Sequence, residues 1–130
     1  MLLKYARLEL TSIPEERYTN RADMPKLLSR EARKIESKLK GGYLIILDTN
    51  GRDFDTRSFA KEIQRLENRG TSIFEFVIGG PYGLDKSFKQ KADLLLSLSP
   101  LTMSHQIVRG VLLEQLYRIF NINAGGSYHK

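Results

Sequence analysis

The chain has 130 residues, no cysteine, 21 lysines and arginines against 15 aspartates and glutamates, and a formal net charge of +6. The lack of cysteine excludes disulfide bonds and thiolate zinc sites, and a chain of this length can bury the core of one domain. No apolar stretch approaches the ~20 residues that span a bilayer, and the first residues lack a signal-peptide core, so we expect a soluble, cytoplasmic protein. The positive charge favours a polyanionic partner, because cations placed at phosphates release condensed counterions.

The first forty residues predict a strand, a loop and a helix. Alternation of apolar and polar residues over 6–10 is the period of a half-buried strand, and a loop is expected over 11–20. Asp23 can cap the following helix and glycines 41 and 42 can end it. The apolar stripe of this helix consists of Leu28, Ala32, Ile35 and Leu39. Its opposite face carries Arg30, Arg33, Lys34 and Lys38, with two glutamates that dilute the charge. We interpret that face as exposed to solvent rather than in contact with RNA.

Residues 43–104 predict three strands and two helices. The near-continuous apolar run 43–47 is typical of a strand covered on both faces, and residues 48–51 turn the chain at its end. A helix capped by Asp55 or Thr56 buries one apolar face and ends at Gly70. The strand Ile73–Ile78, a short helix capped by Asp85 that buries Phe88 and Ala92, and a strand over 94–98 complete this part.

Ser104 can cap a last helix over residues 105–120. Strands that alternate with helices at short connections predict an α/β fold with a mostly parallel sheet covered by helices on both faces. With no repeat, linker or low-complexity tract, residues 1–130 are expected to form a single domain.

Two loops that each follow an apolar strand are the candidate site: GGPYGL at 79–84 and SLSPLTMS at 97–104. Open α/β sheets bind ligands where strands pass into helices, because free backbone donors and acceptors collect there. No Lys-Ser/Thr completes a P-loop, and the spacing is not Gly-x-Gly-x-x-Gly. Gly79, Gly80 and Gly83 can serve either a turn that needs positive φ or the close approach of a ligand. Without further information, the apolar residues of these loops would be assigned to the core.

Four segments carry a family resemblance: GGPYGL at 79–84, SLSPLTMSHQ at 97–106, VRGVLLEQLYRIF at 108–120 and the terminal YHK. In this order and spacing they resemble the SPOUT-class methyltransferases that modify N3 of a pseudouridine in large-subunit ribosomal RNA. The resemblance is close over residues 43–130 and looser before them. It implies a deep trefoil knot in the C-terminal part, a rare exception to the rule that chains do not thread their own loops.

The resemblance also implies S-adenosylmethionine as cofactor, no metal, and a homodimer that acts on large-subunit rRNA in the assembled ribosome. Matching the family's segments, the cofactor contacts fall on Leu47, Gly80, Leu98, Ser99, Pro100, Leu101, Thr102, Met103 and Ser104. The catalytic or substrate-positioning candidates are His105, Tyr128 and His129. The RNA-binding candidates are Arg109, Arg118, Tyr128 and Lys130. Tyrosine can stack on a base and histidine can exchange a proton near neutral pH.

Several alternatives stay open. His105 can position substrate or only hydrogen-bond the adjoining loop, and Glu114 with Arg118 is favoured as an intrahelical ion pair or a dimer bridge. The tail 125–130 would ordinarily be a frayed end. Members of the family usually begin with a further strand and helix that have no counterpart here, so an uncovered sheet edge or helix face is expected. A true shortening compensated by dimer contacts and a start codon assigned too late are both compatible with this difference. The alternatives to this enzyme are a knotted RNA- or ribosome-binding protein without catalysis, and a SPOUT methyltransferase acting on tRNA.

Overall fold

The computed structural model describes residues 7–10, 23–80 and 82–126. The elements are β1 Arg7–Leu10, α1 Met24–Lys38, β2 Tyr43–Asp53, α2 Thr56–Asn68, β3 Ile73–Ile78, α3 Lys86–Lys89, β4 Leu94–Ser97 and α4 His105–Asn123. The predicted order of strands and helices is confirmed. The loop expected over 11–20 and the terminal residues 127–130 lie outside the described residues.

The four strands form one sheet in the order β1-β3-β2-β4, and each described strand pairing is parallel. Leu44 and Ile46 face one side of the sheet and Ile45 faces the other, and all three are buried. The apolar run in β2 is therefore continuous because both of its faces are covered. The predicted α/β sheet with helices on both faces is confirmed.

The helices form two layers, one on each face of the sheet, and an apolar cluster lies between each layer and the sheet. On one face, α2 and α4 pack against the sheet around Phe59, Ile63 and Leu116. On the other face, α1 and α3 pack around Ile35 and Phe88. The buried apolar residues of α1 start at Leu27 rather than at the predicted Leu28, which is half-buried.

The helix caps follow the sequence in all but one case. The carboxylate of Asp55 accepts the Ser58 backbone N–H at 2.7 Å, and that of Asp85 accepts the Phe88 N–H at 3.0 Å. Asp23 occupies the N-cap position of α1 but makes no capping hydrogen bond with its side chain. Its backbone is already helical, at φ −89° and ψ −5°, whereas a capping side chain needs an extended backbone. The predicted capping role of Asp23 is therefore wrong.

The end of β2 differs from the prediction. Leu47 and Arg52 both pair with Leu96 of β4. Residues 48–51 between them have no partner in β4 and form a bulge, called the excursion of β2 below. Pairing with β4 resumes at Arg52 and Asp53. The backbone N–H of Asn50 donates to the Asp48 carboxylate at 2.9 Å, a turn within this excursion. The prediction that these residues end the strand is wrong, because β2 continues through them to Asp53. The last two elements differ slightly at their ends, since β4 stops at Ser97 and α4 continues to Asn123.

Glu75 is a buried carboxylate in β3, with 4% of its surface exposed. Its two oxygens accept the backbone N–H groups of Lys40 and Gly42 at 2.8 and 2.7 Å. A carboxylate leaves water at low cost only when such bonds replace its hydration. Glu75 thereby fixes the connection that leads from α1 into β2.

We predict that Glu75→Ala lowers the free energy of unfolding by roughly 3 kcal/mol, because it leaves two backbone N–H groups without their charged acceptor. Glu36→Ala is the matched control, since Glu36 forms a 2.7 Å ion pair with Lys91 in which both side chains are exposed. Such surface pairs contribute less than about 1 kcal/mol. Urea denaturation measures both changes, and equal losses for the two variants would contradict this role of Glu75.

Candidate functional site

The carboxyl ends of β2, β3 and β4 lie at the same edge of the sheet because the three strands are parallel neighbours. The excursion 48–51, the loop 79–84, the loop 98–104 and the first turn of α4 surround this edge. They enclose a cleft with a volume of about 780 Å³. Pockets for cofactors and other small ligands fall in this range of size, and open α/β sheets bind ligands at this edge.

The cleft brings together every predicted cofactor contact except Pro100, which does not line it. The predicted residues in its walls are Leu47, Gly80, Leu98, Ser99, Leu101, Thr102, Met103 and Ser104. Leu101 is 73% exposed, so it does not serve the core. A large apolar side chain left at the wall of a cleft is available to a ligand.

The loop 79–84 combines a turn with an open wall. Gly83 has a φ of +83°, and its backbone N–H donates to the carbonyl of Gly80 at 3.1 Å. The turn interpretation therefore applies to Gly83, because side chains strain that conformation. Gly80 has no positive φ, and a Cβ added there would meet only the Glu31 carboxylate, at 3.8 and 3.9 Å. At Gly80 the fold itself would accept a side chain. Pro81 lies outside the described residues.

Two serine side chains of the loop 98–104 hydrogen-bond to nearby backbone groups. The Ser99 hydroxyl accepts the Leu101 backbone N–H at 3.0 Å, and the Ser104 hydroxyl accepts the Ile107 N–H at 3.4 Å, which caps α4 as predicted. These bonds shape the loop and begin the helix. The apolar side chains of Leu98, Leu101 and Met103 remain in the wall of the cleft.

An ion pair in the cleft was not predicted. The Lys89 ammonium of α3 lies 2.9 Å from the Asp48 carboxylate at the end of the first half of β2. The backbone N–H of Asn50 and the Lys89 ammonium lower the pKa of the Asp48 carboxyl from its ordinary value. A signal for Asp48 exists in the sequence, since it directly follows a buried strand. None exists for Lys89, whose position depends on how α3 packs.

His105 lies in the wall of the cleft, on the first turn of α4. Arg109 is exposed and does not line the cleft, one turn farther along the helix. The Arg118 Nε lies 2.5 Å from a Glu114 carboxylate oxygen, so the predicted intrahelical ion pair is confirmed. Tyr128, His129 and Lys130 lie outside the described residues, and their roles stay predictions.

Within the described ranges, no three or more of the side chains of His, Asp and Glu form a group that could hold a metal ion. Over the same ranges, no helix has both the length and the apolar character needed to cross a membrane.

Comparison with known proteins connects this cleft to a family. A family model described as predicted SPOUT methyltransferase matches residues 1–129. The chain belongs to the SPOUT methyltransferase family. Proteins named ribosomal RNA large subunit methyltransferase H are similar to it over nearly its full length. That of Pseudothermotoga lettingae is 45% identical, and that of Leuconostoc citreum is 35% identical; each alignment covers 99% of this chain and 84% of the relative. That of Natranaerobius thermophilus is 39% identical over 98% of this chain and 83% of the relative.

Many of the residues that carry the resemblance to the SPOUT family also line the cleft. Two of the four segments that carry the resemblance, GGPYGL and SLSPLTMSHQ, contribute residues to the walls of the cleft, among them Gly79, Gly80, Leu98 and Met103. The third wall, at the end of the first half of β2, contributes Leu47 and Asp48. A SPOUT methyltransferase requires a site for a methyl donor, and this cleft is the candidate for it.

Proposed function

We propose that the protein transfers a methyl group from S-adenosylmethionine to N3 of a pseudouridine in large-subunit ribosomal RNA. We further propose that it does so in the cytoplasm, on the assembled ribosome, as a homodimer. The cleft at the carboxyl ends of β2, β3 and β4 is the observation that carries the proposal, together with relatives named for methylation of large-subunit rRNA. The net charge of +6 suits a polyanionic substrate.

The residues of the cleft fit S-adenosylmethionine. Leu98, Leu101 and Met103 offer apolar surface to the adenine, and the loops around them offer backbone N–H and C=O groups to its polar edge. Asp48 and Lys89 offer charged groups of both signs in the same cleft. When bound, the cofactor supplies an electrophilic methyl group.

Positioning of the base, removal of its proton and binding of the RNA are assigned to other residues. The acceptor nitrogen must be held in line with the methyl group, and its proton must leave. His105, in the wall of the cleft, is the candidate for positioning the base. Tyr128 and His129 are the tail candidates for stacking on the base and for the proton, and Arg109, Arg118 and Lys130 are the candidates for RNA phosphates.

We also propose that residues 74–130 contain the deep trefoil knot implied by the family. After β3 the chain passes through α3 on one face of the sheet to β4, on the far side of β2. It then returns through α4 on the opposite face. The C-terminal part therefore wraps around β2, which is the arrangement that a threaded chain end would close into a knot.

We propose that the solvent-exposed side of α4 forms the interface of the homodimer. Ile107 and Tyr117 are 56% and 54% exposed, and a Cβ added at Gly110 would meet nothing within 4 Å. Spacings of three and seven residues place all three on one side of the helix. Glycine in an exposed helix costs about 1 kcal/mol relative to alanine, a cost that the close approach of a partner helix would offset.

Methyl incorporation tests the proposed function directly. We expect transfer from labelled S-adenosylmethionine into large-subunit rRNA, with assembled ribosomes, free rRNA and tRNA offered separately. Incorporation into tRNA alone would favour a tRNA-modifying SPOUT enzyme. Binding of the cofactor and of ribosomes with no incorporation into any RNA would favour a non-catalytic binding protein.

Leu101→Ala should weaken S-adenosylmethionine binding about tenfold, because a leucine side chain buried by a ligand contributes ~1.5–3 kcal/mol. The free energy of unfolding should stay within about 0.5 kcal/mol, since Leu101 is 73% exposed. Arg57→Ala is the control, because Arg57 is exposed on α2 and does not line the cleft. Calorimetry measures both affinities. An equal affinity of the two variants would remove Leu101 from the cofactor site.

Ending the chain at Gly126 should abolish methyl transfer while leaving S-adenosylmethionine affinity nearly unchanged. The reason is that a tail which closes over the acceptor base contributes to the transition state and little to cofactor binding. His129→Ala then separates two roles, since recovery of the rate at higher pH indicates a proton acceptor and its absence indicates positioning. A shortened chain that methylates ribosomes at the full rate would leave His105 as the leading catalytic candidate.

Light scattering should give twice the 14.9 kDa mass of one chain at micromolar concentration. Gly110→Leu should shift the protein toward the single-chain mass, because the added side chain would hold the partner helix away. A wild-type protein of single-chain mass would contradict the homodimer.

A further inference from the structure

Charged side chains occupy only a small part of the cleft. Among the described residues that line it, the ionisable side chains are those of Asp48, Lys89 and His105. Asp48 belongs to the excursion of β2, whereas Lys89 comes from α3 in the layer on one face of the sheet. Their ion pair, at 2.9 Å, is therefore assembled by the fold and not by neighbouring positions in the chain.

The pair gains little as a purely structural contact. The Asp48 side chain is 12% exposed and that of Lys89 is 35% exposed, so both lose part of their hydration. The attraction of a half-buried pair is largely offset by this loss. The Asp48 carboxylate also accepts the Asn50 backbone N–H, which holds it in place even without Lys89. Lys89 can therefore turn toward a ligand in the cleft without leaving Asp48 unpaired.

S-adenosylmethionine has an apolar part and a charged part, and the cleft has an apolar wall and a charged pair of side chains. Its adenine is flat and largely apolar, and its methionine end carries an ammonium and a carboxylate at neutral pH. Groups of both signs within a few ångströms of each other can form strong, charge-assisted hydrogen bonds to such an end. We propose that Asp48 and Lys89 form the subsite for the methionine end, in which Lys89 donates to the ligand carboxylate and Asp48 accepts from the ligand ammonium. This inference rests on the proposed function.

The test compares two ligands that share adenine and ribose. S-adenosylhomocysteine has the charged amino-acid end, and 5′-methylthioadenosine lacks it. Calorimetry on Lys89→Met should show S-adenosylhomocysteine bound at least tenfold more weakly, with 5′-methylthioadenosine within twofold of wild type. Lys91→Met is the matched control, because Lys91 pairs with Glu36 at 2.7 Å outside the cleft and should change neither affinity.

A charge exchange separates recognition from support of the fold. Asp48→Lys combined with Lys89→Asp keeps two opposite charges side by side but reverses their order. We expect this variant to bind 5′-methylthioadenosine and to lose its preference for S-adenosylhomocysteine. Retention of that preference in the exchanged variant or in Lys89→Met would overturn the inference.

The wild-type result distinguishes this inference from the proposed function. A wild-type protein that binds S-adenosylhomocysteine and 5′-methylthioadenosine equally well would overturn the subsite and leave the methyltransferase proposal intact. A wild-type protein that binds neither would overturn both.

Discussion

The parallel pairing of β2 between β3 and β4 is the constraint on which the site depends. Parallel strands bring all their carboxyl ends to one edge, and beyond that edge the backbone has no ladder partner. The loops 79–84 and 98–104 and the excursion 48–51 meet there for this reason. The cleft is thus a consequence of the strand order, and the side chains of the loops determine what it can bind.

At the opposite edge of the sheet, where β2 begins, two carboxylates accept hydrogen bonds from the backbone. Glu75 accepts two backbone N–H groups from the connection into β2, and Asp93 accepts the Leu44 N–H at 2.7 Å where β2 begins. The Asp93 N–H in turn donates to the Leu44 carbonyl at 2.8 Å. Hydrogen bonds to charged groups are the stronger kind, so the bonds at this edge fix the amino ends of the strands. Charged hydrogen bonds hold one edge of the sheet, and the other edge carries the cleft.

Sequence patterns were sufficient for much of this structure and insufficient for specific parts of it. Apolar runs and helix caps such as Asp55 and Ser104 depend on neighbouring residues, so they can be predicted locally. The excursion of β2 could not be predicted locally, because it depends on both Leu47 and Arg52 pairing with Leu96 of a different strand. The hydrogen bonds of the buried Glu75 and the ion pair of Asp48 likewise could not be predicted, because they join residues 33 to 41 positions apart in the chain. The residues predicted for the cofactor came from the family resemblance, since Leu98, Leu101 and Met103 would otherwise have been assigned to the core.

The proposed function requires that S-adenosylmethionine binds in this cleft. Chemical-shift mapping of the ¹⁵N-labelled protein with S-adenosylhomocysteine tests this most directly, because each backbone amide reports its own surroundings. We predict shifts at the amides of Leu47, Gly80 and Met103 and none at Gly41 and Gly42 on the opposite edge. Shifts confined to the opposite edge, or saturating ligand with no shift at the cleft amides, would contradict it.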